Sequence, residues 1–381
     1  MFRIRTFMFV SSHICSLIVL GCSHEDPPAA ENRITAGVGQ RTEVESTAVL
    51  EKEETRSDSN VLEKLNVAHL PNAIQIHQKV ISGGQPDGEE GFRELRDLGV
   101  RTIISVDGAK PDVELAKKYG MKYVHLPHSY DGIPDERAKQ LAKAVRVLDG
   151  TVYIHCHHGK HRSPAAAAVA CVAGGLIDPS MSLTVLKTAG TSENYRGLYQ
   201  SAESARKLDK AILEAVDADF PEIASLPPLA EAMVNLEHTQ DRLKEIAAAG
   251  WNSPPNHPDI DPAHEALLLK EHFTEMLRID SVATEPGKFQ EMLRDSENAS
   301  GELEAALRQW KAARLNSPIP GTVVASFDRV TKNCTACHRQ FRDIPLHEKR
   351  KKQAARISDL AIAATAGSPQ VARRQFRRDS Q

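Results

Sequence analysis

Seven residues near the middle of the chain combine a thiol with a cluster of cationic side chains. The run Cys156-His-His-Gly-Lys-His-Arg162 follows the β-branched and aromatic residues Thr151–His155 and precedes Ser163, Pro164 and a row of alanines. These flanks predict a strand before the run and a helix after it, with proline in the first helical turn. Backbone N–H groups in such a loop converge with the positive end of the helix dipole, which predicts an anion site. A cysteine thiolate there is a nucleophile, and five residues between Cys156 and Arg162 are enough to surround one phosphate.

The residue pattern of this loop resembles a known family. His155, Cys156, Arg162 and Ser163 match the His-Cys-x5-Arg-Ser/Thr signature of the cysteine-dependent protein phosphatases, and the resemblance covers residues 66–218. It implies that Cys156 attacks phosphorus, that Ser163 stabilises the departing thiolate and that His155 orients the loop. The planar guanidinium of Arg162 suits two phosphate oxygens at once. The predicted substrate-binding residues are His157, His158, Gly159, Lys160 and His161.

The leaving group of a phosphoester needs a proton, which a carboxylic acid upstream of the cysteine supplies in this family. Asp131, in the run Tyr130-Asp-Gly-Ile-Pro134, resembles the acid loop of some dual-specificity phosphatases. Asp135 is the alternative acid, although its position before the predicted helix Glu136–Leu148 favours an N-cap. Lys160 resembles a residue of phosphatases that accept inositol phosphates; alternatively, it projects into solvent with the neighbouring histidines. The predicted substrate is a phosphorylated protein or a small phosphomonoester such as an inositol phosphate.

Strands and helices alternate on both sides of the acid loop. The predicted elements are a strand and turn at Lys79–Pro86, helices at Glu89–Leu98, Asp112–Tyr119 and Leu198–Val216, and strands at Arg101–Val106 and Lys122–Leu126. This alternation predicts an α/β fold with a mainly parallel sheet and flanking helices.

A second group of reactive residues lies near the C-terminus. Cys334, Cys337 and His338 form a Cys-x-x-Cys-His run, whose spacing suits two thioether bonds to haem and one axial imidazole. A zinc site or a free dithiol is the alternative. The run ends a series of four predicted helices, which indicates an all-α four-helix bundle. Their predicted bounds are Leu229–Ala249, Pro262–Arg278, Gly301–Leu315 and Pro320–Phe341.

Residues 222–345 resemble the cytochrome c prime family, because the motif lies on the last predicted helix and His-x-x-Phe-Arg follows within it. The resemblance implies one covalent haem c with His338 as the proximal ligand. Met233 on the first of these helices is the candidate sixth ligand; a core methionine is the other interpretation. His238 is a further candidate for the same role, although a surface residue is the favoured interpretation.

The N-terminus carries a targeting pattern. Arg3 and Arg5 precede an apolar stretch that ends at Gly21-Cys22, which resembles the lipobox of bacterial lipoproteins. We therefore expect a signal peptide at 1–21, lipidation of Cys22, a disordered tether at 22–65 and anchoring in the periplasm. Ser23 after the lipidated residue favours the outer membrane. The alternative is a cleaved secretory signal with an incidental cysteine.

The composition limits the remaining possibilities. With 381 residues, 41% hydrophobic residues and a net charge of −3, the chain is long enough for two globular domains and unlike a polytopic membrane protein. The near-neutral charge predicts no nucleic-acid partner, and the basic tail 346–381 is expected to be solvated, or else to contact anionic lipid. Of the six cysteines, Cys171 is expected in a helical core.

Two functions remain open from the sequence. The first is a phosphomonoester phosphatase that acts through phosphocysteine and carries a haem domain for electron transfer or redox or gas sensing, with a redox partner. The second is a c-type cytochrome whose phosphatase-like domain is inactive and only binds phosphate.

Overall fold

The computed structural model describes residues 62–313 and 318–354. The predicted signal peptide, the lipidation site Cys22, the tether as far as residue 61 and the tail beyond residue 354 lie outside the described residues. Within the described ranges no helix combines the length and the apolar character that crossing a membrane requires.

A six-stranded sheet organises the first part of the described chain. Its strands are β1 (Glu63–Lys64), β2 (Ile74–His77), β3 (Val80–Gly84), β4 (Val100–Ser105), β5 (Lys122–His125) and β6 (Thr151–Cys156). They lie in the order β1-β2-β3-β6-β4-β5, with β3, β6, β4 and β5 parallel and β1 and β2 antiparallel. The sheet is therefore mixed, with the predicted parallel part at its centre. Register pairs Gly84 with Cys156 and Ser105 with His155, so the ends of three strands meet at one edge.

Seven α-helices of the described residues follow or connect the strands. They are α1 (Gly88–Asp97), α2 (Val113–Lys118), α3 (Asp135–Val147), α4 (Arg162–Ala173), α5 (Ser182–Ala189), α6 (Arg196–Ser204) and α7 (Lys210–Ala215). The single helix predicted at Leu198–Val216 is wrong, because the backbone becomes extended at Ala205 and separates α6 from α7. All twelve residues of α4 are buried, since its many alanines leave room for close neighbours on every side.

Four long helices form the second part of the described chain. They are α8 (Pro228–Ala248), α9 (Pro262–Leu277), α11 (Gly287–Ala312) and α12 (Gly321–Cys337), with the short α10 (Asp280–Ala283) between α9 and α11. Prolines in the first turn of α8 and α9 suit helix starts, and the Asp261 side chain caps α9 by accepting from the His264 N–H. The four helices share a hydrophobic core separate from that of the sheet, which includes Leu243, Leu269 and Leu303.

Two predicted bounds of these helices change. The helix predicted to begin at Gly301 begins at Gly287. Within it the Ser296 and Ser300 hydroxyls donate to carbonyl groups one turn earlier, so these polar groups are satisfied inside the helix. The helix predicted to reach Phe341 ends at Cys337, where a π-helical turn His338–Arg342 begins. A further helical segment, α13, occupies residues 346–354.

Candidate active site and candidate haem pocket

The loop from Cys156 to Arg162 joins the end of the central strand β6 to the start of α4. Gly159 has a φ of 71°, and a Cβ there would lie 2.4 Å from the Gly84 backbone nitrogen, so only glycine fits. The Asn72 amide donates to the Gly159 carbonyl at 2.8 Å, and the Thr191 hydroxyl donates to the Lys160 carbonyl at 2.6 Å. Both donors lie outside the loop, and their hydrogen bonds hold the loop backbone in its conformation.

The nucleophile candidate Cys156 is close to the hydroxyl that is expected to assist it. Cys156 is 3% exposed, and its Sγ lies 3.3 Å from the Ser163 Oγ. The Ser163 hydroxyl lies 2.9 Å from the Gly83 carbonyl and donates to it. A hydroxyl has one proton, so the same group can turn from Gly83 to a thiolate when the sulfur becomes an anion.

Arg162 lies at the first position of α4 and is 7% exposed. Its Nη2 donates to the Asp107 Oδ2 at 2.8 Å, and its guanidinium lies 4.5 Å from the centre of the Tyr130 ring. The Arg162 Nε is buried and has no hydrogen-bond partner among the residues that the structure describes. A buried donor without a partner costs free energy, so this nitrogen is available to a bound anion.

Asp107 is a site residue that the sequence pattern did not predict. It follows β4 at the same sheet edge, is 4% exposed, and its Oδ2 also accepts the His157 N–H at 2.6 Å. Burial alone would raise the pKa of Asp107, but the Arg162 charge and the N–H groups of Ala109 and His157 outweigh it and lower the pKa to about 2. An aspartate directly after a strand, at the edge where strand ends meet, was the available signal.

His155 lies beneath the loop on β6. Its Nε2 lies 2.6 Å from the Tyr123 hydroxyl, and burial lowers the pKa of His155 to about 4. A neutral, buried imidazole of this kind holds the strand and its loop in place and does not exchange protons with a substrate at neutral pH.

The other loop side chains point in different directions. The His157 ring faces Asp241 of α8, with Nε2 and Oδ2 3.5 Å apart, and the hydrogen bond to Asp241 raises the pKa of His157 against the effect of burial. His158 and Lys160 are exposed, which agrees with the interpretation that they project into solvent. His161 packs against Tyr195, and burial, followed by nearby cations, lowers the pKa of His161 to about 4.

The acid-loop candidate Asp131 is 8% exposed. Its Oδ2 accepts a hydrogen bond from the Lys349 Nζ at 2.8 Å, and its backbone carbonyl accepts from the Leu346 N–H at 2.9 Å. Residues 346–349 of the predicted solvated tail are therefore in contact with the acid loop, which corrects that prediction for the start of the tail. Asp135 is exposed and is the first residue of α3, while Pro134 occupies the N-cap position, so the predicted N-cap role of Asp135 is wrong.

Cys171, on α4, is fully buried as predicted, and burial raises the pKa of its thiol well above the usual range. An un-ionised, inaccessible thiol is chemically inert. Of the two cysteines in the α/β part, only Cys156 has a neighbouring hydroxyl and guanidinium.

The Cys-x-x-Cys-His residues line a pocket among the four long helices. Residues of all four helices contribute to it: Met233, Leu236, Phe273, Met292, Leu293, Ser296, Asn333, Cys334, Cys337 and His338. Cys334 and Cys337 form no disulfide, and burial raises the pKa of both thiols to about 11. Burial, followed by the Arg342 charge, lowers the pKa of His338. His238 is exposed and does not line the pocket.

The lining of this pocket is mainly apolar and carries two thiols and one imidazole. Within residues 62–313 and 318–354, no three histidine, cysteine or acidic side chains come together as a metal-ion site. Two thiols one helical turn apart and an adjacent imidazole instead lie along one side of an apolar pocket. The types and spacing of these three side chains are those that a covalent haem c would use.

Comparisons with known proteins identify similar solved structures. The sequence matches no protein-family model and no curated protein. TpbA from P. aeruginosa is 18% identical, with a TM-score of 0.35 over 42% of this chain and 98% of TpbA. A DUF442 protein from Shewanella putrefaciens CN-32 is 23% identical, with a TM-score of 0.29 over 40% and 92% of the two chains. The core catalytic domain of the PP-IP phosphatase SIW14 from S. cerevisiae is 18% identical, with a TM-score of 0.26 over 41% and 89%. Similarities this low leave function to be inferred from the geometry of the loop itself.

Proposed function

We propose that the chain hydrolyses phosphomonoesters through a phosphocysteine at Cys156. The observation that carries this proposal is the buried Arg162 Nε without a partner, at the start of a helix and in the same loop as a cysteine. A helix N-terminus and an unpaired guanidinium donor together favour an anion with several oxygens. The cysteine at the other end of the loop supplies the nucleophile for the phosphorus of that anion.

In the first step the Cys156 thiolate forms an S–P bond while the ester P–O bond breaks. Arg162 holds the equatorial oxygens, and Asp131, as a carboxylic acid, gives its proton to the leaving oxygen. The products are phosphocysteine, the free alcohol or phenol, and an ionised Asp131.

In the second step a water molecule attacks the phosphorus of the phosphocysteine. Asp131 takes a proton from this water, the S–P bond breaks, and inorganic phosphate leaves. The Ser163 hydroxyl, 3.3 Å from the sulfur, turns to the returning thiolate and stabilises its charge.

The test is phosphate release by the full chain from a phosphotyrosine peptide and from inositol phosphates. We expect turnover that is lost in Cys156→Ser, which removes the nucleophile, and kept in Cys171→Ala. The second variant is a matched control, since it also removes one thiol of the α/β part. Turnover that survives in Cys156→Ser would refute the phosphocysteine mechanism. Absence of turnover by the unmodified chain would favour a domain that only binds phosphate.

The substrate class that we propose is an aryl phosphate such as phosphotyrosine. Tyr130, His161 and Tyr195 form an aromatic cluster beside Arg162, with the Tyr130 and Tyr195 ring centres 4.7 Å apart. An aromatic cluster of this kind can pack against the flat ring of an aryl leaving group. Inositol phosphates are the alternative, which Lys160→Ala tests: a selective fall in inositol-phosphate turnover would favour them.

We also propose that the pocket of the four long helices holds one covalent haem c in a four-helix domain. Cys334 and Cys337 would carry the thioether bonds and His338 the iron, and the apolar lining supports a group of this kind. When bound, haem supplies one-electron or gas-binding chemistry, with a redox partner in the first case. The test is a c-type absorption spectrum that resists acid extraction in the unmodified chain and in Cys171→Ala but is lost in Cys334→Ala/Cys337→Ala.

The location that we propose is the periplasm, with a lipid anchor on Cys22. It agrees with the compartment in which haem c is attached. Incorporation of labelled palmitate that disappears in Cys22→Ser supports the anchor, and equal incorporation in both forms excludes it.

A further inference from the structure

The segment that follows the haem-attachment motif returns to the acid loop of the α/β part. We call residues 342–349 the clasp. Within it, the Leu346 N–H donates to the Asp131 carbonyl at 2.9 Å, and the Lys349 Nζ donates to the Asp131 Oδ2 at 2.8 Å. The same Nζ donates to the Arg342 carbonyl at 2.9 Å, which ties the two ends of the clasp together.

Side chains of the clasp also contact the residues on either side of Asp131. The Arg342 guanidinium lies 4.2 Å from the centre of the Tyr130 ring, on which Arg162 also stacks. The Leu346 side chain approaches Gly132, where a Cβ would lie 3.4 Å from its Cδ1. Glu348 pairs with Arg196 of α6 through two hydrogen bonds of 2.9 and 3.3 Å. Backbone, ionic, aromatic and apolar contacts thus converge on three consecutive residues of the acid loop.

The contact on Asp131 involves one of the two oxygens that can carry the transferred proton. An ammonium group has hydrogen atoms to donate and no lone pair to accept one. While Lys349 donates to Oδ2, that oxygen serves as an acceptor and does not carry a proton toward a leaving group. Proton donation from Oδ2 therefore requires this contact to open or to shift, and the same bond holds the carboxyl group, and with it Oδ1, in one orientation.

We propose that the clasp restrains the acid loop, and that Lys349 is a positioning residue that holds Asp131 back from the first chemical step. This inference rests on the proposed phosphatase function. The clasp begins four positions after His338 and is joined to the Cys334–His338 motif by a single π-helical turn. The helical part of the chain is therefore connected to Asp131 by one turn of backbone and by the hydrogen bonds of the clasp.

A purely structural tie between the tail and the acid loop makes a different prediction. Loss of such a tie lowers stability and affects all substrates alike. Release of a restrained acid affects only substrates whose leaving group needs a proton. Dependence of the rate on the leaving group separates the two.

The experiment compares the full chain with Lys349→Met and with Lys351→Met, an exposed lysine two residues further on in α13. The kcat is measured for phosphate esters whose leaving groups range from alcohols to acidic phenols. We expect Lys349→Met to raise kcat about three- to fivefold for alcohol leaving groups, a factor that loss of a partly exposed ion pair can supply. Acidic phenols, which leave without a proton, should show no change, and Lys351→Met should match the unmodified chain.

A second measurement does not depend on turnover. Amide hydrogen exchange at Leu346, whose N–H donates to the Asp131 carbonyl, should become faster in Lys349→Met and stay unchanged in Lys351→Met. Turnover with the same leaving-group dependence in all three proteins would overturn the restraint and leave the phosphatase intact. Absence of turnover in all three would instead overturn the proposed function and the inference with it.

Discussion

Replacing Asp107 with asparagine tests the electrostatic arrangement of the candidate active site. The substitution keeps the size of the side chain and removes the negative charge that lies 2.8 Å from the Arg162 Nη2. The asparagine side-chain oxygen can still accept some of the backbone hydrogen bonds that the carboxylate accepts in the unmodified chain. The principal change is a buried guanidinium without a counter-charge.

The size of the effect follows from the pKa of Asp107, which falls from 3.8 to about 2 in the folded protein. Each pKa unit corresponds to about 1.4 kcal/mol, so the net stabilisation of the carboxylate, after the opposing cost of burial, amounts to about 2 kcal/mol. Removing one partner of a buried ion pair costs about 3–5 kcal/mol, because the other charge stays buried. We therefore expect the free energy of unfolding to fall by about 2–4 kcal/mol.

The effect should depend on pH in a definite direction. A carboxyl group whose pKa is lower in the folded state stabilises the fold above its unfolded pKa, and this stabilisation is lost as the pH falls through the folded pKa. For Asp107 the difference between the unmodified chain and Asp107→Asn should thus be complete above about pH 4 and shrink toward pH 2.

The assay is urea unfolding with and without inorganic phosphate. A bound phosphate supplies the counter-charge that Asp107→Asn lacks, so phosphate should stabilise this variant more than it stabilises the unmodified chain. Asp97→Asn, which removes an exposed partner of Arg96, is the control and should change stability by less than about 1 kcal/mol. Equal stabilisation of both proteins by phosphate would refute the view that Arg162 faces the anion site.

Three further predictions concern other parts of the molecule. Gly159→Ala should lower kcat/KM at least about tenfold, because the added Cβ would meet the Gly84 nitrogen. Gly190→Ala is the control: Gly190 has a similar positive φ but no atom within 4 Å of an added Cβ, so this variant should retain turnover. In the unmodified chain the free energy of unfolding should fall between pH 6.5 and 4, because His155 binds a proton in the unfolded state but not in the folded state. His155→Asn should remove this contribution, which is roughly 3 kcal/mol at pH 4. Urea titrations at several pH values measure the difference. Met233→Ala should abolish low-spin bands in the reduced haem spectrum if Met233 ligates iron, and an unchanged low-spin spectrum contradicts that role.

Local pattern predicted the elements around Cys156 because the relevant signals lie close together in the chain. The strand Thr151–Cys156 and the helix that begins at Arg162 both follow from a β-branched run, a proline and alanines. Asp107 was missed because its role depends on β4 lying beside β6, and strand order is not a local property. Its position after the predicted strand Arg101–Val106 was a signal, but an aspartate followed by glycine is also typical of an ordinary turn, so the local sequence did not separate the two interpretations.

The contact between Lys349 and Asp131 was out of reach for a different reason. The two residues are 218 positions apart, and a basic stretch is usually a solvated surface. The tail contains several lysines, and only the packing of α13 against the acid loop determines that Lys349 is the one that contacts Asp131. The break between α6 and α7 was also missed, since neither glycine nor proline marks Ala205.

The alanine-rich helix α4 makes the candidate active site resistant to local opening. All twelve residues of α4 are buried, so no face of this helix can detach without exposing its neighbours to water. Amide groups of such an element exchange with solvent only when the whole domain unfolds. The anion-binding end of the loop should therefore remain assembled between turnovers, and fluctuations that admit a substrate must come from the acid loop. Replacing any of these alanines with a larger residue should overpack the core around α4 and displace the loop at its N-terminus. Inactivating substitutions are therefore expected well beyond the residues that touch phosphate.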